Sequence, residues 1–171
     1  MRVLAIDPGN EHSGWVLLDG MKVLASGDVQ NFRITQMIDG VFPASDEHQT
    51  IDPHLIAIEF FQSYGMAVGK TSFHTCRWVG RFQEAAARQN IDTQLVYRSD
   101  VKMHLCQSMR AKDANVAQAI RDLYPATGGG KKPVIGTKKE PGPLYGVKGH
   151  MWQALGVGLT VQYAEKLTEV A

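Results

Sequence analysis

Two runs of four apolar residues, Val3-Leu4-Ala5-Ile6 and Leu55-Ile56-Ala57-Ile58, each stop at a carboxylate, Asp7 and Glu59. Short apolar runs of this kind read as buried strands. A carboxylate at the end of a buried strand is costly unless it is paired, hydrogen-bonded or metal-bound, and two strands ending the same way point to a shared divalent cation. A third segment has the same character: His150 opens the apolar helix Met151-Trp152-Gln153-Ala154-Leu155. Three elements that each deliver a polar or metal-binding side chain from one end have the layout of an active site.

The remaining pattern sets the architecture. Trp15 to Leu18 and Lys22 to Ala25 read as further strands. The pair Asp19-Gly20 between them suits a type I′ hairpin, so the first three strands should form an antiparallel meander. Asn31 to Asp39 has helical spacing in Phe32, Ile34, Met37 and Ile38, and Val41 to Pro53 is a polar loop. Its Asp46, Glu47, His48 and Asp52 read as solvated rather than metal-binding. A helix over about Val68 to Gln89 links the strand ending at Glu59 to a fifth strand, Thr93 to Tyr97, which places those two strands parallel. Asp100 to Gln107 reads as a short helix. Asp113 is placed to cap another, over Ala114 to Tyr124, which Pro125 ends. From Ala126 to Lys148 the composition predicts a mobile basic loop. His150 to Leu167 is apolar almost all round through Val161 and should lie buried on the sheet. Antiparallel strands followed by parallel ones, with helices on both faces of a mixed five-stranded sheet, give an α/β class of ribonuclease H-like architecture.

Length and composition add limits. A chain of 171 residues fits a single domain spanning 1–171 and can bury about two thirds of its unfolded surface. With 44% hydrophobic and 20% charged residues it has the composition of a globular protein, and Met151 to Ala164 is too short and interrupted to span a bilayer. Met1-Arg2 leads straight into a strand with no leader pattern, which predicts a cytoplasmic location. Cys76 and Cys106 are read as buried free thiols. The net charge of +1 does not decide for or against nucleic acid; the clustering of lysines does more.

Asp7-Pro8-Gly9 with Ser13-Gly14-Trp15, Ile58-Glu59, Ala111-Lys112-Asp113-Ala114-Asn115-Val116 and His150-Met151-Trp152-Gln153-Ala154-Leu155 occur in an order and spacing that resembles the RuvC-type Holliday junction resolvases, in a phage-like or divergent form. The resemblance covers nearly the whole chain. It implies a homodimeric endonuclease, dependent on Mg2+ or Mn2+, that makes paired nicks in four-way DNA junctions. Asp7, Glu59, His150 and Gln153 then correspond to the catalytic and metal-binding set. His150 and Gln153 are three residues apart and share a helix face.

Gln153 stands where the family carries an aspartate, and a neutral amide leaves two magnesium ions short of compensating charge. Three readings follow: one tightly held metal with His150 acting on the attacking water; a carboxylate supplied by Asp113 or another residue; or a junction-binding protein with weak or lost cleavage. A monomeric nuclease of the same fold acting on flaps, forks or RNA–DNA hybrids is a further alternative. Lys102, Arg110 and Lys112, with Lys131, Lys132, Lys138, Lys139 and Lys148, are the candidate phosphate contacts, which give affinity and salt dependence but little sequence preference. Phe61 and Tyr64 are the candidates for stacking on an opened junction, where stacking is worth ~1–3 kcal/mol per base, with core packing as the equal alternative for Phe61. On the Val68 to Gln89 helix, Phe73, Cys76, Trp78, Val79, Phe82, Ala85 and Ala86 cover more surface than sheet packing needs. The excess is explained either by a homodimer through Phe73 to Ala86 or by burial between the sheet and later helices.

Overall fold

The computed structural model describes residues 1–41, 51–63, 65 and 67–169. Asp46, Glu47, His48 and Tyr64 lie outside them. The elements, in order, are β1 (Arg2–Pro8), β2 (His12–Asp19), β3 (Lys22–Gln30), α1 (Asn31–Ile38), β4 (Leu55–Phe60), α2 (Lys70–Arg88), β5 (Asp92–Tyr97), α3 (Arg98–Cys106), α4 (Asp113–Asp122) and α5 (Met151–Glu169). The strands form one sheet in the order β3-β2-β1-β4-β5. β1, β2 and β3 pair antiparallel, and β1, β4 and β5 pair parallel. This is the expected mixed, ribonuclease H-like sheet.

Helices cover both faces, and the side chains of β1 divide between them. Val3 and Ala5 join the core beneath α5, with Leu155, Val157 and Leu159, while Leu4 and Ile6 join the core beneath α1 and α2, with Ile34 and Phe82. A strand covered on both faces needs an unbroken apolar run rather than an alternating one, which is why β1 and β4 are the most apolar strands. Alternation along the strands then decides the site. Ala5 and Ala57 face α5, so the next residues of the same parity, Asp7 and Glu59, leave the sheet on the α5 side. Gly158 lets that helix approach closely, since a Cβ there would lie 2.5 Å from Leu18 Cδ1 and 3.0 Å from Ala5 Cβ.

Four expectations need correction. The β2–β3 loop is Gly20-Met21, because Asp19 pairs with Lys22. Only Gly20 of the two has positive φ (+55°), the pattern of a type II′ turn rather than I′. Asp113 does not cap α4. It is the first helical residue, Lys112 is the N-cap, and Asn115 Oδ1 accepts a hydrogen bond from the Lys112 backbone N–H (2.9 Å). The stretch from 126 to 148 is not a mobile excursion. Backbone bonds Gly128 to Pro133, Gly129 to Glu140 and Leu144 to Val134 fold it on itself, and Leu144 is fully buried in the α5-side core. Cys76 and Cys106 are free as expected but only half-buried. On α2 the sheet side is filled by Val79, Phe82, Ala85 and Ala86, whereas Phe73 is 62% exposed.

Candidate active site

Asp7 and Glu59 stand side by side because β1 and β4 run parallel in a register that pairs Ile6 with Ile58. Both lie at the carboxyl ends of their strands, next to the start of α5. His150 occupies the turn that opens this helix, its carbonyl accepting the first helical hydrogen bond from Ala154 (3.2 Å). Its Nδ1 lies 2.9 Å from Asp7 Oδ2. The approach depends on Gly14, the cross-strand partner of Asp7. A Cβ at Gly14 would fall 2.6–2.7 Å from the His150 backbone carbon, oxygen and Cβ. Glycine here is therefore required by contact across the sheet.

The loop after Asp7 is held by buried polar groups. Ser13 Oγ donates to Asn31 Oδ1 (2.6 Å), Asn31 Nδ2 donates to the Gly9 carbonyl (2.9 Å), and the Gly9 N–H donates to Ser13 Oγ (3.3 Å). Ser13 and Asn31 are each 1% exposed. Their mutual bonds satisfy groups that burial would otherwise penalise and fix the direction in which Asp7 leaves its strand.

Sequence reasoning missed Arg98. It follows β5 directly, so it emerges at the same edge of the sheet as Asp7 and Glu59. Its Nη1 donates to Glu59 Oε1 (3.1 Å) and Oε2 (3.4 Å), and its Nη2 donates to Asp113 Oδ1 (2.5 Å). Gln153 also helps to lower the Asp113 carboxyl, more weakly than Arg98 does. The signal was position: the end of a parallel strand beside two that carry site residues.

The charges perturb one another. Burial raises the Asp7 carboxyl, and His150 opposes the rise. Glu59 is pushed up to about 7, by burial first and the adjacent Asp7 second, with Arg98 opposing. The Arg98 hydrogen bond holds Asp113 below the usual carboxylate range.

The residues present suit one hard divalent ion. Asp7 and Glu59 supply carboxylate oxygens, and the Gln153 Oε1 atom is buried with no hydrogen-bond partner, which leaves an amide oxygen available as a ligand. Magnesium and manganese favour such oxygen sets with water in the remaining positions. Among the described residues, no three His, Cys, Asp or Glu side chains form a ready-made cage, so water or phosphate must complete the coordination.

Of the predicted nucleic-acid contacts, Lys102 is half-buried on α3, and Arg110 and Lys112 are exposed just ahead of α4. Lys131, Lys132, Lys138, Lys139 and Lys148 are exposed along the segment leading to His150. Phe61 is half-buried, stacked on Phe60 with centroids 5.3 Å apart. Asp52 is exposed, with Arg2 3.9 Å away.

No protein-family model matches the sequence, and no curated protein matches it. Solved structures do. The chain is similar to Thermus thermophilus RuvC in complex with a Holliday junction substrate, with a TM-score of 0.68 at 21% identity, over 98% of this chain and 97% of the other. It is equally similar to another Thermus thermophilus RuvC structure, with a TM-score of 0.67 at 20% identity and 98% coverage of each chain. The fold is that of RuvC. The chain's own strand register and the His150–Asp7 contact bring Asp7, Glu59 and the start of α5 together at one edge of this sheet. No helix among the described residues is long and apolar enough to cross a membrane.

Proposed function

We propose that the chain is a single-domain, cytoplasmic, metal-dependent endonuclease that resolves four-way DNA junctions by paired phosphodiester nicks, acting as a homodimer. The observation that carries this reading is the largely buried Asp7–Glu59 pair at the ends of β1 and β4, with His150 at 2.9 Å from Asp7, on a fold matched to RuvC over nearly its whole length. The similar RuvC structure contains a Holliday junction substrate, which supports branched DNA as the substrate here.

Asp7, Glu59 and the Gln153 amide oxygen would hold magnesium or manganese, which when bound supplies charge to the phosphate transition state and lowers the pKa of the attacking water. Ionised Asp7 only accepts, so the Nδ1 of His150 would donate to it, which leaves the other ring nitrogen, Nε2, available to the water. That nitrogen is the group to orient or deprotonate the water. Arg98 keeps donors beyond those given to Glu59 and Asp113, and these can meet a phosphate oxygen. The exposed lysines from Lys131 to Lys148, with Arg110, Lys112 and Lys102, would hold the DNA backbone. Phe61 and Tyr64 are assigned to stacking at the opened centre. The exposed Phe73 on α2 supports dimerisation through that helix, and a two-fold pair of sites would match a nearly symmetric junction.

The test incubates the protein with a labelled four-way junction and with linear duplex, in magnesium or manganese, beside Asp7→Asn, with a solution mass taken in parallel. Junction cleavage that Asp7→Asn lacks supports the proposal. Selective binding without cleavage would instead leave a junction-binding protein, and equal treatment of junction and duplex would rule out both.

A further inference from the structure

The carboxylate cluster contains a permanent cation. The Arg98 side chain is only 24% exposed and the Glu59 side chain 13%, and a guanidinium does not lose its proton in a protein. Its Nη1 reaches both oxygens of Glu59, at 3.1 and 3.4 Å, and its Nη2 closes on Asp113. The Glu59 edge facing β5 is thereby engaged.

The charge balance matters because two-metal phosphodiesterase sites hold ions about 3.5–4 Å apart and share carboxylates between them. Two such ions bring four positive charges. Here the turn into α5 contributes a histidine, His150, and α5 a neutral amide, Gln153, and the acidic groups named at this edge are Asp7, Glu59 and Asp113. Arg98 neutralises one of the three, which leaves a deficit that a single divalent ion matches.

We propose that Arg98 replaces a second metal: the site takes one divalent ion on its Asp7 side, and the guanidinium supplies the second positive charge on its Glu59–Asp113 side. This rests on the nuclease reading and specifies its charge inventory. It also explains why a glutamine suffices at position 153. With the second positive charge already built into the protein, a further carboxylate on α5 has no second ion to hold, and the neutral amide oxygen of Gln153 suffices for the one ion on the Asp7 side.

Manganese uptake by the full chain, read from the electron paramagnetic resonance of free Mn2+ and from titration calorimetry, tests this without any cleavage. One ion per chain is expected for the wild type and for Arg98→Lys, which keeps the charge; Arg98→Met should take up a second ion. Two ions in the wild type, two in Arg98→Lys, or an unchanged single ion in a folded Arg98→Met would overturn the proposal. The wild-type stoichiometry decides even if Arg98→Met does not fold. Two wild-type ions would remove only the role of Arg98 and leave the nuclease reading standing, whereas no uptake at all would remove both.

Discussion

Replacing Glu59 by glutamine should stabilise the metal-free protein above neutral pH while destroying its metal site. Glu59 is 13% exposed, and its carboxyl is raised from 4.5 to about 7, chiefly by burial and then by the charge of Asp7. Between those two values the folded chain holds a proton that the unfolded chain has released. Stability from this group is therefore complete below pH 4.5 and declines as pH rises through 7. At 1.36 kcal/mol per pH unit the decline amounts to about 3 kcal/mol, a substantial part of the ~5–15 kcal/mol that holds a typical domain together. The attraction of Arg98 is already contained in that net shift. Glutamine is a neutral isostere that keeps an acceptor for Arg98 and escapes the decline. Urea unfolding with chelator present should find wild type and Glu59→Gln nearly equal at about pH 4.5, with the variant ahead by about 3 kcal/mol at about pH 8. A difference that does not change with pH, or a variant less stable than wild type at the higher pH, would refute the reasoning.

Other outcomes follow from the same geometry. Gly14→Ala should push His150 off Asp7, cost ~1–3 kcal/mol in thermal or urea unfolding through overpacking, and lower junction cleavage by roughly 10²-fold or more. Saturating manganese, at about a hundred times its Kd, should add ~2.7 kcal/mol to unfolding stability. That gain should vanish in Asp7→Asn, and calorimetry should show affinity weakening as pH falls below about 7, where Glu59 takes up its proton. The double change Lys138→Ala with Lys139→Ala should lower the slope of log affinity for a junction against log salt by up to about 2, without altering sequence preference.

The parts of this fold that were legible in the sequence are those where burial dictates residue type locally. Continuous apolar runs announced β1 and β4 because both faces of those strands are covered, and the carboxylates ending them were conspicuous for that reason. The apolar circumference of α5 announced its burial in the same way. Arg98 was not legible: it is one of 18 lysines and arginines, and its partner Glu59 lies 39 residues away in sequence. The usual preference of aspartate for a helix cap gave the wrong role for Asp113, because pairing with Arg98 takes its carboxylate instead. The Gly-, Lys- and Pro-rich stretch from 126 to 148 reads as a mobile loop by composition. Its glycines in fact permit close backbone contact, as at Gly128, where a Cβ would lie 2.6 Å from the Gly142 nitrogen. Leu144 and Val147 then anchor it in the core. Gly14 was legible only as part of the Ser13-Gly14-Trp15 segment of the resemblance; the reason for it was not, since its requirement comes from His150, 136 residues further along.

Mapping nicks on denaturing gels, with each of the four strands of a junction labelled in turn, tests the central claim most directly. The account predicts nicks at matching positions on two opposite strands, requiring magnesium or manganese and absent in Asp7→Asn. Cuts confined to one strand, cuts equally frequent in linear duplex, or cleavage surviving in Asp7→Asn would contradict it.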